Sequence, residues 1–216
     1  MSPRITLAVA VRVLIQLRRD PRTIALMLVV PCALMILLWW MFIDSPTDPF
    51  DQFGPALLAL FPFTVMFLVT SVTTLRERSS GTLERLLAMP MGRLDFLLGY
   101  AVAFGLVAAV QAVLAVSVSV GLLGLDIVGS VWLLGVVAVV DAVLGSALGL
   151  FVSAFARTEF QAVQFLPAVV LPQLLLCGLF IARDSLPPVL HAISDVLPLS
   201  YAVDAMTHLT QSTSTS

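Results

Sequence analysis

Residues 131–155 read VWLLGVVAVVDAVLGSALGLFVSAF, a run of 25 in which Asp141 is the only charged side chain. At a rise of about 1.5 Å per residue, a helix of this length exceeds the ~30 Å hydrocarbon core of a bilayer. Working outward, four more runs are long enough to cross as helices: 23–43, 54–75, 96–123 and 160–182. The composition agrees. Of 216 residues, 60% are hydrophobic and 11% charged, with a mean hydropathy of +1.07, whereas a soluble domain carries roughly 25% charged residues. So few ionisable groups cannot coat a water-soluble particle, and the expected fold is an all-α membrane protein, a polytopic bundle of five transmembrane helices. Pro31, Pro62, Pro167 and Pro172 fall inside the runs. In a bilayer, neighbouring helices can satisfy the carbonyls that a proline frees.

The arginines orient the bundle. Arg4, Arg12, Arg18, Arg19 and Arg22 precede the first run, Arg76, Arg78, Arg85 and Arg93 lie between the second and third, and Arg157 lies between the fourth and fifth. By the positive-inside rule these regions are cytoplasmic. Ten of the eleven arginines obey, with Arg183 the exception. The N-terminus is then inside. The polar run 211–216 holds no sixth span, so the expected C-terminus is outside. Residues 1–22 read as a cytoplasmic amphipathic helix in the inner interface, because Arg4, Arg12, Gln16 and Arg19 recur near every fourth position and Ile5, Val9, Val13 and Leu17 fill others. Arg12 interrupts the apolar run, and no small-residue cleavage pattern follows, which excludes a secretory leader.

Several chemistries are excluded by what is missing. No lysine and no G-x-x-x-x-G-K run exist, so a phosphate-binding P-loop is absent. A net charge of −2 disfavours nucleic acid. Cys32 and Cys177 lie in apolar stretches, where they read as small core residues, and their depths differ too much for a disulfide. His191 and His208 have no third ligand nearby, which argues against a metal site.

Residues 76–90, RERSSGTLERLLAMP, carry the most information about function. Gly81 suits an N-cap, Glu84 falls at the third helical position where the dipole favours a carboxylate, and Pro90 stops the helix. Leu83, Leu86 and Leu87 form an apolar stripe, and so short a helix outside the membrane needs something to pack against. Residues 77–90 resemble the E-R-x-x-G-T-L-E-x-L-L-x-x-P signature of ABC-2 type permeases, the membrane subunits of ABC exporters similar to those for daunorubicin. A second stretch, Leu197-Pro198-Leu199-Ser200-Tyr201-Ala202-Val203-Asp204-Ala205, resembles the family's L-P-x-x-Y-x-x-E-A run, with Asp204 in place of Glu.

The resemblance implies a coupling helix at 76–90 that docks into a separate ABC ATPase subunit through Glu77, Gly81, Thr82, Leu83, Glu84, Leu86 and Leu87. It implies that this chain binds no cofactor, that ATP and Mg belong to the partner, and that a second permease copy, as homodimer or paralogue, joins it in lipid. It further implies short re-entrant helices at 183–208 on the outer side, with Pro198, Tyr201 and Asp204 in their motif, and a polar tail at 209–216. The family usually has a sixth span, so its absence here is a departure.

Asp141 is the only carboxylate deep in a span, where a charge costs at least about 2.5 kcal/mol. Gly145 and Gly149 follow it on one helical face, a close-packing stripe expected to turn inward. Depth counting places Gln111, Asp141 and Gln173 roughly 20 Å from the inner side. An intramembrane polar cluster, with the amides satisfying the carboxyl, is therefore expected. The resemblance implies an ATP-driven exporter of a hydrophobic drug, lipid or glycolipid in a bacterial inner membrane. The competing reading is an ATP-independent membrane protein, either a secondary transporter using Asp141 or a non-transporting scaffold.

Overall fold

The computed structural model describes residues 2–44, 49–79, 92–125 and 127–210. Among them are eight α-helices, one 3-10 turn and no strand: α1 (Pro3–Arg18), α2 (Pro21–Phe42), α3 (Pro49–Ser79), α4 (Arg93–Gly121), α5 (Val131–Ser153), α6 (Glu159–Leu176), the turn Arg183–Ser185, α7 (Pro188–Ser194) and α8 (Pro198–Thr210). Five helices are long and apolar enough to cross a membrane: Pro21–Phe42, Gln52–Ser79, Leu94–Gly121, Val131–Ser153 and Glu159–Leu176. The five expected runs are these five helices.

Local chemistry sets their ends. The Asp20 carboxylate accepts from the Thr23 amide at 3.2 Å and the Thr23 hydroxyl at 2.6 Å, and Pro21 follows in the first turn of α2, where a missing N–H costs nothing. The Thr158 hydroxyl accepts from the Gln161 amide at 3.1 Å and starts α6. That helix stops at Leu176, six residues short of the expected 182. Gly178 adopts a φ of 95°, which turns the chain out of the helix. The sequence offers two helix starts here, Pro187-Pro188 before Val189 and Ser194-Asp195 before Val196. The first holds, but Ser194 and Asp195 finish α7, and α8 begins instead at Pro198.

α3 is the central helix. It packs against α2, α4, α5, α6 and α8, and 56% of its span is buried against 17–39% for the other four. Its tightest neighbour is α5. A Cβ placed on Gly145 would lie 2.4 Å from the Phe63 carbonyl oxygen, and one on Gly149 would lie 2.4 Å from that of Phe67. Both contacts advance by four residues, so the two helices run parallel with their backbones touching. The same step places Asp141 level with Ala59, and both are buried, at 1% and 0% exposed. α8 begins beside α6, where the Leu199 amide donates to Gln173 Oε1 at 3.3 Å. It ends at the α4–α5 connection, where the Gly129 amide donates to the Leu209 carbonyl at 2.8 Å.

Gly145→Leu or Gly149→Leu is expected to lower stability in detergent by about 1–3 kcal/mol through overpacking, read as the midpoint of thermal unfolding. Gly135 has open space around it, so Gly135→Ala should leave the midpoint unchanged or raise it.

Candidate functional site at the inner end of α3

The last turn of α3 holds three successive charged residues, Arg76, Glu77 and Arg78. Neighbours in a helix point about 100° apart, and each of these reaches a different element. Arg76 Nε and Nη2 donate to Glu159 Oε1 and Oε2 of α6, both at 2.9 Å, a bidentate geometry. Arg12 Nη2 of α1 donates to Glu77 Oε1 at 3.2 Å. Arg78 donates to the carbonyls of Ala154, at 3.1 Å, and Ala156, beyond the end of α5. Ala154 is the C-cap of α5, and an arginine on such carbonyls satisfies acceptors that a helix end leaves open. The Ser79 hydroxyl closes the turn on the Arg76 carbonyl at 3.0 Å.

Glu77 was expected on a partner-docking face. The structure turns it inward, with the residue 9% exposed against α1. The other residues of that expected face, Gly81, Thr82, Leu83, Glu84, Leu86 and Leu87, lie outside the described residues.

The expected cluster of Gln111, Asp141 and Gln173 is not joined by hydrogen bonds. Gln111 Nε2 donates to the Met27 carbonyl of α2 at 3.0 Å. That oxygen is the one Pro31 leaves without its helical donor, four residues on. Gln173 Nε2 bonds the Val169 carbonyl at 3.1 Å and its Oε1 accepts the first-turn amide of Leu199. Both amides therefore serve backbone groups opened by a proline or a helix start. Asp141 keeps both carboxyl oxygens buried without a partner.

Beyond the C-terminal end of α6 the second motif gathers around Arg183, the one arginine that departs from the positive-inside pattern. Arg183 Nη1 bonds Asp204, Nη2 bonds Asp195 at 2.5 Å, and Nε bonds the Ser194 hydroxyl at 3.2 Å. Its guanidinium carbon lies 5.3 Å from the Tyr201 ring centre, and the Tyr201 hydroxyl donates to the Asp195 carbonyl at 2.6 Å. Partial burial works against the charge of Arg183. The hydrogen bond and charge of Asp204, then the charge of Asp195, outweigh it and hold the group above its ordinary basicity. Pro198 opens α8. His191 Nδ1 sits 3.3 Å from Asp195 Oδ2. Among the described residues no three His, Cys, Asp or Glu side chains gather as a metal site, and both cysteines are free.

Arg12, Arg76, Arg78, Glu159, Arg183 and Asp195 are thus site residues that sequence reasoning passed over. For Arg76 and Arg78 a signal lies in their position at a span end and for Arg12 in its place on an amphipathic helix, but the partners of these three are 65 to 83 residues away in the chain.

The family model for ABC-2 type transporter matches residues 5–210. The chain is 28% identical over 156 residues to the probable multidrug ABC transporter permease YbhS of Escherichia coli K12, covering 72% of this chain and 41% of that one. It is 29% identical over 153 residues to the inner membrane transport permease YhhJ of the same organism, covering 70% and 41%. With ABC transporter G family member 20 of Dictyostelium discoideum it shares 28% over 163 residues, 75% of this chain and 22% of that one. The chain thus spans about two-fifths of the bacterial relatives' length.

Gln111→Leu should cost about 1–3 kcal/mol by orphaning the Met27 carbonyl. Pro31→Ala, which restores a donor within α2, should recover much of that loss in the double variant, measured by thermal unfolding of all four proteins.

Proposed function

The chain belongs to the ABC-2 type transporter family, and we propose that it works as the membrane-spanning permease subunit of an ATP-driven exporter in a bacterial inner membrane. An ABC-2 membrane domain has no ATPase activity of its own. In this reading ATP and Mg are held by a separate ABC ATPase subunit, and a second permease copy completes the pathway. Leu83, Leu86 and Leu87 anchor the docking helix, Glu84 and Arg85 form its polar rim, and Gly81 lets the partner's backbone come close.

The observation that carries the reading is where the three tethers sit. Arg76, Glu77 and Arg78 end α3 immediately before the docking residues, and grip α6, α1 and the α5 end. A displacement of the docking helix enters α3 there and is shared among the elements around it. α3 in turn carries α5 through the glycine contact. On the outer side, the Arg183 knot with Tyr201 and Asp204 holds the short helices that cap the exit. The cargo we assign is a hydrophobic drug, lipid or glycolipid; the relative YbhS is described as a probable multidrug permease.

A second reading has one observation in its favour. The Asp141 carboxyl, 1% exposed and without a partner, would serve an ATP-independent transporter as its proton-carrying group. Asp141→Asn separates the two: export is retained in the first reading and lost in the second.

Leu83→Asp and Leu86→Asp should weaken co-purification with the ATPase subunit at least about tenfold. Arg76→Glu should leave the ATPase bound but reduce export, and adding Glu159→Arg should restore it. An intact complex in the leucine variants would remove the docking helix from the mechanism. Undiminished export by Arg76→Glu would remove the tether.

A further inference from the structure

Where α1, α2 and α4 meet, they leave a groove of about 340 Å³. Its walls are apolar, among them Leu17 of α1, Met27 and Leu28 of α2, and Leu106 and Val110 of α4, and the one polar lining residue is Arg18. The groove has a definite depth. Asp20, at the α1–α2 turn, feels the charge of Arg76 at the inner end of α3, and Met27 lies two turns into α2. The arginine pattern makes this end cytoplasmic, so the groove opens into the inner leaflet with Arg18 at headgroup level.

Arg18 lines the groove, and Arg19 and Arg22 follow it along the chain at the α1–α2 turn. Arg18, Arg19 and Arg22 are all exposed, and among the described residues none is paired with a carboxylate. Asp20, the one acid among them, has its carboxylate turned to the amide and hydroxyl of Thr23. One exposed guanidinium in the groove wall and two more on the adjoining turn, none paired with a carboxylate among the described residues, match the two ends of an anionic lipid. Arg12, which faces the bundle, is the basic residue of α1 that does find an internal acid.

We propose that this groove binds one anionic phospholipid of the inner leaflet, an acyl chain lying between α1, α2 and α4 and the phosphate resting on Arg18 with Arg19 and Arg22 beside it. The site is independent of what the bundle exports. It would fasten α1, and through Arg12 and Glu77 the inner end of α3, to the membrane surface.

Native mass spectrometry of the purified chain, incubated in detergent with phosphatidylglycerol and phosphatidylcholine of equal chain length, reads the site directly. The wild type should retain one phosphatidylglycerol about tenfold or more in preference to phosphatidylcholine. Arg18→Gln should reduce that retention about fivefold and leave phosphatidylcholine unchanged. Val110→Trp, on a residue 60% exposed at the groove mouth, should displace both lipids. Arg4→Gln, an equal loss of charge at the far end of α1, should behave as wild type. Equal retention of the two lipids, or an Arg18→Gln variant indistinguishable from wild type, overturns the proposal. A Val110→Trp variant that keeps its lipid but loses a dimer would assign the groove to a second copy of the chain instead.

Discussion

The contact between α5 and α3 organises the bundle. Lipid tails are as apolar as leucine, so helices in a bilayer gain little by hiding leucines from them and associate through close packing instead. Gly145 and Gly149 remove the side chains that would hold the backbones apart, and the Phe63 and Phe67 carbonyls occupy the space. With α5 fixed to its side, α3 becomes the helix around which α2, α4, α6 and α8 arrange. Phe63, Met66 and Phe67 are then fully enclosed.

A second constraint is the requirement that polar backbone groups be satisfied without water. Each glutamine that sequence reading grouped with Asp141 proves to answer it: Gln111 at the carbonyl opened by Pro31, and Gln173 at the first turn of α8. Arg78 does the same at the end of α5. The one arginine that breaks the topological rule is explained by the same economy of charge, since Arg183 lies among Asp195, Asp204 and Tyr201 and gives the outer helices a common centre.

Much of the fold was legible because hydropathy reports solvent, and solvent dictates helices in a membrane. The five spans, the start of α7 at Pro188 and the inward face of Gly145 and Gly149 follow from residue type and period alone. The end of α6 was misplaced because residues 177–182 remain apolar, while a single glycine with positive φ decides the turn. The partners of Gln111 and Gln173 are not legible for a different reason. Depth along a helix can be counted from sequence, but azimuth relative to another helix cannot. Equal depth suggested that amides and acid would meet, and rotation about each axis sent them elsewhere. The leucines expected to dock, Leu83, Leu86 and Leu87, lie outside the described residues.

Three adjoining side chains that grip three different neighbours restrict the kind of motion open to α3. Were it to twist about its long axis, Arg76, Glu77 and Arg78 would sweep sideways together and tear away from holders set around the circumference. Sliding or tilting keeps all three attached, provided the holders travel too. The C-terminal end of this helix is thus tied to a ring of neighbours, so that a shift there is met by α1, α6 and the end of α5 together.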